Sequence, residues 1–159
     1  MSDNFDRWLQ EELDKDLAAV DPNAPPPDRG DQLAAVLASS LASCPVLCDL
    51  ISAQAAVLEH NLSPKVAAEY KRAAIANVTS LARLVVERLP ELGENDAFRF
   101  AAATVMVTGA VWTHAKPSAA MLTAYESDPD LAALRLDLLA TLREVLEVLI
   151  SGLLVRSSR

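Results

Sequence analysis

The side chains best able to do chemistry in this sequence are two cysteines and two histidines. Cys44 and Cys48 lie four residues apart, and His60 and His114 lie near the ends of predicted helices. Two thiols without a nearby histidine or a second cysteine pair are a weak metal signal. A di-iron bundle would need Glu-x-x-His pairs, and the sequence contains none. We therefore predict a protein that is not an enzyme and holds no metal or cofactor. Both cysteines are expected as buried, reduced thiols.

A second set of polar side chains interrupts the apolar faces of predicted helices. Burying an unpaired polar group costs a few kcal/mol, so each of them needs a partner. Backbone carbonyls or a neighbouring helix would satisfy them one at a time. Gathered together, they would instead line an apolar cavity with a few hydrogen-bonding groups, which is typical of a small-molecule pocket. The candidate ligand-binding residues are Leu47, Leu50, Gln54, Tyr70, Asn77, Thr104, Thr108 and Trp112.

The elements that must position these residues are helices. Of the 159 residues, 52% are hydrophobic and only 4 are glycine, while runs of alternating β-branched residues are missing. This composition predicts a single all-α domain over residues 1–159. A proline-rich loop is expected over residues 21–30, and residues 116–130 are expected to be mostly irregular, with one turn around 119–125. The six predicted helices are Asp3–Val20, Asp31–Ser43, Pro45–His60, Pro64–Leu89, Ala97–Ala115 and Asp130–Val155.

The last predicted helix has more apolar surface than one subunit needs. A first stripe contains Leu131, Leu134, Leu138, Leu142, Val145 and Leu149, and a second contains Leu136, Leu139, Leu146, Ile150 and Leu153. One stripe suffices to pack a surface helix on its own core. The excess predicts a homodimer, with the first stripe, Val105 and Gly109 as candidate interface residues. Gly109, in mid-helix, either admits a close helix approach or makes room for a ligand.

The charge pattern excludes several classes of partner. The formal net charge is −8, and the 14 Lys and Arg residues are dispersed, whereas nucleic-acid binding needs clustered cations. The acidic N-terminus lacks the features of a signal peptide. The uncharged stretch from Phe100 to Thr113 is shorter than the roughly 20 residues that cross a bilayer. We expect a cytoplasmic protein that contacts neither nucleic acid nor membrane.

The order of segments resembles the C-terminal regulatory domain of tetracycline-repressor (TetR) family transcription regulators. The resemblance rests on a first helix containing Trp8, a Leu-rich last helix, and the segments LASCPVLCDLISAQAAVLEHNLS, PKVAAEYKRAAIANVTSLARLVVERLPEL and AAATVMVTGAVWTHA. It implies an all-helical domain that binds a small ligand between its helices. It also implies that the last two long helices form a four-helix bundle with their copies in a dimer. Residues 1–20 would be the helix that connects to the DNA-binding unit.

One departure from the family pattern is large. Family members carry a helix-turn-helix unit ahead of the connecting helix, and the sequence has no room for one before Asn4. The chain is then either an excised regulatory domain of a repressor or a natural protein without the DNA-binding part. In the first case it senses a small apolar or weakly polar ligand. In the alternative, it is a helical interaction dimer that modulates a full-length regulator without binding a ligand.

Overall fold

A computed structural model describes residues 2–58 and 62–159, without the side chains of residues 55, 57 and 58. Every regular element in these ranges is helical, which confirms the all-α prediction. The α-helices are α1 (Ser2–Arg7), α2 (Asp14–Asp16), α3 (Pro26–Ala42), α4 (Pro45–Leu58), α5 (Pro64–Arg88), α6 (Gly93–Ala115), α7 (Ala119–Ser127), α8 (Pro129–Ala132) and α9 (Leu138–Ser157). The predicted end of α4 at His60 lies outside the described residues.

The N-terminal segment, residues 2–19, is helical throughout but not uniformly α-helical. A π-helical stretch, Trp8–Leu13, separates α1 from α2, and a 3₁₀ turn, Leu17–Ala19, follows. Buried side chains recur every four residues at Phe5, Leu9, Leu13 and Leu17. That spacing is wider than the 3.6 residues of an α-helical turn, and the wider π turn keeps these side chains on one face. The segment therefore packs continuously on the domain.

Helix α6 lies at the centre of the domain and packs against α4, α5 and α9, while α3 packs along α9. Gly30 permits the close approach of α3 to α9. A Cβ atom added at this position would lie 3.3 Å from both Ile150 Cγ2 and Leu154 Cδ1. Phe100 of α6 and Leu146 of α9 are fully buried in the shared core. The core thus joins the long helices into one unit.

Two helices begin earlier than the sequence predicts. Helix α3 begins at Pro26, so the predicted loop over residues 21–30 ends at Pro25. Proline is tolerated in the first turn of a helix, because the missing N–H has no partner there in any case. The proline run therefore starts the helix rather than preventing it. Helix α6 similarly begins at Gly93 rather than at Ala97.

The predicted last helix, Asp130–Val155, is broken in the structure, and this prediction is wrong. Residues 129–132 form the short helix α8, and α9 begins only at Leu138. Asp137 is the N-cap of α9, with an extended backbone and a carboxylate that accepts a hydrogen bond from Ala140 N at 2.9 Å. This local hydrogen bond competes with continuation of the helix. The preceding link is more regular than expected, since α7 occupies residues 119–127.

An ion pair between the buried Arg29 and the half-exposed Glu91 ties the start of α3 to the 3₁₀ turn Pro90–Leu92 that follows α5. Arg29 Nη1 donates to Glu91 Oε2 at 2.9 Å, and Nη2 donates to the second carboxylate oxygen. The same guanidinium donates to Ala24 O at 2.9 Å through Nε and to Arg88 O at 3.1 Å through Nη1. Hydrogen bonds from Arg29 hold the pKa of Glu91 below its ordinary value. The ionised carboxylate thus orients Arg29, whose Nε holds the loop before α3 through Ala24 O.

Within the described residues, no single helix is long and apolar enough to cross a bilayer. Helix α3 and residues 45–54 reach the required length and apolar content only when they are taken together, and the chain bends by 92° between them.

Candidate functional site

Two amide side chains are buried between the helices that pack on α6. Asn77 of α5 is 6% exposed, and Gln54 of α4 is similarly buried. The Nδ2 atom of Asn77 has no hydrogen-bond partner within the described part of the chain. Leaving a buried donor unpaired costs about 1–3 kcal/mol, so this amide is a polar group in need of an acceptor. Of the predicted ligand-binding residues, Asn77 most clearly needs a hydrogen-bond partner that the described residues do not supply.

The two buried threonines of α6 have no such requirement. The Thr104 hydroxyl donates to Phe100 O at 2.8 Å, and the Thr108 hydroxyl donates to Thr104 O at 2.7 Å. Both are bonds to the preceding turn of the same helix, which satisfy the hydroxyl without a ligand. Their remaining exposed surface is close to zero. These two positions therefore behave as part of the core.

Trp112 lies in a polar cluster at the C-terminal end of α6. Its Nε1 donates to Asp49 Oδ1 at 2.7 Å, and Lys116 Nζ lies 3.3 Å from the same oxygen. The ammonium also lies 4.3 Å from the centre of the indole ring. The hydrogen bond from Trp112, followed by the one from Lys116, lowers the pKa of Asp49. The sequence prediction omitted Asp49 and Lys116, and no residue pattern links them across 67 positions.

The other predicted ligand-binding residues differ in burial. Leu47 is fully buried, whereas Leu50 and Tyr70 are partly exposed. A surface cleft of about 470 Å³ is lined by Trp112, Lys116 and the residues that lead into α9. Another, of about 480 Å³, lies at the start of α6 and contains none of the predicted residues. A shared cavity for Gln54, Tyr70, Asn77 and Trp112 thus stays a prediction.

Two residues predicted for the dimer interface, Leu142 and Gly109, pack inside the protomer. Leu142 is fully buried and forms a row with Leu146 and Ile150, spaced by four residues, that faces the core. The sequence prediction had placed Leu142 on the first stripe and Leu146 and Ile150 on the second. Because all three face the core of the protomer, the assignment of Leu142 to an interface is wrong. Gly109 lies against α4, where an added Cβ would meet Ile51 Cγ2 at 3.3 Å. The glycine therefore serves a close helix approach within the subunit.

The remaining predicted interface residues are at least partly accessible. Val105, Leu138, Val145 and Leu149 are partly buried. Leu131 and Leu134 are exposed but precede α9.

Exposed apolar residues lie on both α6 and α9, and we call this set the outer face. It contains Met106 of α6, which is 69% exposed, and Val148 of α9, which is also 69% exposed. Gly152 and Val155 continue it along α9 at helical spacing. Apart from its chain neighbours and the backbone of its own helix, no described atom lies within 4 Å of a Cβ built on Gly152. Sequence reasoning missed Val148, Gly152 and Val155, because leucines dominated the apparent stripes.

No group of three or more His, Cys, Asp or Glu side chains within the described residues could hold a metal ion. Burial raises the pKa of the Cys48 thiol to about 11, with a smaller contribution from Cys44. Cys48 Sγ lies 3.2 Å from Leu41 O, to which it donates. This thiol is therefore protonated at neutral pH and a poor nucleophile.

The described residues thus form an all-helical domain around α6, with a buried amide that has no partner among them and exposed apolar residues on α6 and α9. Residues 3–157 match the family described as "Tetracyclin repressor-like, C-terminal domain". The chain belongs to this family, whose members are domains of transcription regulators rather than enzymes. A search of curated proteins finds no match to this chain.

Proposed function

We propose that this chain is the small-molecule-sensing and dimerisation domain of a TetR-like transcription regulator. The observation that carries the sensing half is the buried Nδ2 of Asn77, which has no acceptor among the residues that the structure describes. On α5, its fellow buried residues are the apolar Leu81, Ala82 and Val85. A neutral apolar molecule with a carbonyl, ether or hydroxyl oxygen would supply the acceptor and bury its own surface. The ligand class we propose is a neutral or weakly polar aromatic or lipid-like compound with such an oxygen.

The experiment for ligand sensing uses Asn77→Leu, which keeps the side-chain size and removes the unpaired amide. A panel of neutral aromatic ketones and lactones is tested by thermal denaturation of the wild-type protein. A compound present at 100 times its Kd stabilises the folded state by about 2.7 kcal/mol. We expect Asn77→Leu to be at least as stable as the wild type without ligand, and to lose the stabilisation by an active compound.

Thr108→Val is the matched control, because that hydroxyl bonds only its own helix. It should retain the response to the compound. If Asn77→Leu responds as the wild type does, the amide is not a ligand contact. If the variant is instead less stable and no compound stabilises the wild type, Asn77 is an ordinary core residue. The alternative of an interaction dimer without a ligand is then favoured.

Helix α5 provides a path from the proposed ligand to the N-terminal segment. Asn77 and Arg88 lie on the same helix, 11 residues or about 16 Å apart. Arg88 Nη2 lies 3.7 Å from Asp14 Oδ1 of α2, and α5 also packs against α1. A ligand that favours one position of α5 would therefore bias residues 2–19 as well. We propose this bias as the signal to an attached DNA-binding unit, since these 159 residues carry no basic surface for DNA.

The dimerisation half of the proposal rests on the outer face. We propose that its residues form one apolar patch, and monomers rarely expose large patches of this kind to water. Its small side chains on α9 allow a second copy of the helix pair to approach closely, as four-helix packing requires. Gly152→Glu tests this, because the protomer has open space at that position. Ser151→Glu is the control, since it adds the same charge one residue away and outside the outer face.

Sedimentation equilibrium gives the dimer dissociation constant of each variant, and circular dichroism checks that each one folds. We expect Gly152→Glu to be a folded monomer at micromolar concentration, because the charge would be buried without a partner. Ser151→Glu should remain dimeric. Equal dissociation constants for the two variants and the wild type would show that the outer face is not the interface.

A further inference from the structure

Helix α4 is held by fewer elements than the other long helices. Among the described residues it packs extensively on α6 and to a smaller extent on α3, but not on α5 or α9. Leu47, Ile51 and Gln54 are among its buried side chains. Parts of a protein with few buried apolar contacts open locally at a smaller free-energy cost than the whole domain. Helix α4 is therefore the long helix that can separate from the core with the least disruption.

Three polar contacts join α4 to the end of α6. Trp112 Nε1 donates to Asp49 Oδ1 at 2.7 Å, and Lys116 Nζ donates to the same oxygen at 3.3 Å. The Lys116 ammonium also lies 4.3 Å from the centre of the Trp112 ring, whose face attracts a cation. We call Asp49, Trp112 and Lys116 the latch. Each of the three contacts the other two, so removal of one side chain weakens more than one contact.

The latch can separate without leaving a charge buried. The side chains of Asp49 and Lys116 are 59% and 57% exposed, so water solvates both groups once they part. Separating a buried ion pair would instead leave an uncompensated charge in the core, which is far more costly. The latch is therefore suited to a contact that forms and breaks in the folded protein.

Next to the latch, α4 lies against a position of α6 that has no side chain. A Cβ added at Gly109 would lie 3.3 Å from Ile51 Cγ2 and 3.5 Å from Ser52 Cα. With glycine there, no side chain from this position has to withdraw from between the helices when they separate. Only residues 43–44 join α4 to α3, and the chain bends by 92° between the two helices. This short link is the natural hinge for α4.

We infer that the latch holds α4 closed on α6, and that α4 opens, rarely and as a unit, about residues 43–44 when the latch separates. Gln54 is buried on α4 itself, so opening brings its amide into contact with solvent. The opening would give a ligand a path to this amide, a role that rests on the proposed sensing function. The opening itself needs no ligand and is measured without one.

Hydrogen exchange of the full chain in low concentrations of urea measures the opening. Amides of residues 49–54 should exchange faster than the core amides of α6. Their rates should also depend less on urea, because opening one helix exposes less surface than global unfolding does. Equal rates and equal urea dependence for α4 and α6 would show that α4 does not open separately, and would overturn the inference.

Asp49→Ala and Lys116→Met test the latch itself. Each removes contacts that exist only while α4 is closed. We expect exchange in residues 49–54 to be about fivefold faster or more in Asp49→Ala, and faster by a smaller factor in Lys116→Met. Lys65→Met is the matched control, because Lys65 is an exposed lysine of α5 without an ion pair among those the structure describes. It should leave these rates unchanged. Wild-type exchange rates in Asp49→Ala would show that the latch does not hold α4.

Stopped-flow binding of prodan tests the path to the amide. Prodan is a neutral aromatic ketone that fluoresces more strongly in an apolar environment. If only the open form admits it, Asp49→Ala should raise its association rate by the same factor as exchange in α4. An unchanged association rate beside faster exchange would overturn the path. Failure of the wild type to bind prodan would count against the proposed sensing function, while hydrogen exchange still decides whether α4 opens.

Discussion

Replacing Glu91 by Gln tests how the N-terminal part of the domain is held in place. Gln has nearly the same shape, but it removes the charge and one of the two acceptors that Arg29 uses. Arg29 stays buried and keeps its two hydrogen bonds to backbone carbonyls. The variant therefore isolates the contribution of the carboxylate to stability.

The expected loss follows from burial and hydrogen bonding. A hydrogen bond to a charged group contributes about 1.5–3 kcal/mol, and a buried charge left without its partner costs about 3–5 kcal/mol. The Glu91 side chain is 41% exposed, so solvent screens the interaction and the larger figure does not apply. We expect Glu91→Gln to lower the free energy of unfolding by about 1–2 kcal/mol at pH 7.

The pH dependence of this difference has a definite sign. The pKa of Glu91 is lowered in the folded state, so its contribution is fully present above the unfolded value of about 4.3. It is lost as the pH falls from that value through the folded pKa. The gap between wild type and variant should therefore be constant from pH 7 to pH 5 and should close at lower pH.

Urea unfolding followed by circular dichroism measures the free energy at each pH. Glu94→Gln is the control, because it removes the same charge from a residue without an ion pair among those the structure describes. We expect its effect to stay within about 0.5 kcal/mol. A loss equal to that of Glu94→Gln, or a gap that does not close in acid, would refute the reasoning on Arg29.

Three further predictions concern the core. Ser40→Ala removes the hydroxyl that accepts from Trp8 Nε1 at 2.8 Å, and urea unfolding should show a free energy of unfolding lowered by about 1–3 kcal/mol. In the double variant with Trp8→Phe, the loss of this hydrogen bond should not be counted a second time, because the donor is gone as well. Leu146→Ala should lower the free energy of unfolding by about 2–5 kcal/mol, because the side chain is fully buried; a loss below 1 kcal/mol would contradict its place in the core. Cys48 should resist alkylation at pH 8 until the protein unfolds, as mass spectrometry of labelled peptides would show, and labelling of folded protein at Cys48 would contradict its burial.

The sequence predicted the helices well where proline marks their first turn. Helices α4 and α5 begin at Pro45 and Pro64, as expected from proline at the first helical position. The sequence prediction failed before α9, because the helical spacing of leucines continues through Asp137 although the helix itself does not. Periodicity detects apolar spacing, but the hydrogen bond by which Asp137 caps α9 depends on a backbone conformation that spacing does not reveal.

The candidate site was only partly predictable for a related reason. The sequence shows that Asn77, Thr104 and Thr108 interrupt apolar faces, but all three look alike at that level. The structure distinguishes them, because the threonine hydroxyls donate to carbonyls of their own helix, whereas Asn77 Nδ2 has no partner in the described part of the chain. Similarly, the row of Leu142, Leu146 and Ile150 faces the core only because α9 lies against α3 and α6 in one particular rotation.

The mass of the wild-type chain in solution tests the central claim most directly, since the proposed role of the outer face requires a second copy. Sedimentation equilibrium at micromolar concentration should give about twice the chain mass of 17.0 kDa. Dilution into the nanomolar range should leave this mass unchanged if the interface is of the obligate type. A mass of one chain at micromolar concentration, from a protein that is folded by circular dichroism, would contradict the account.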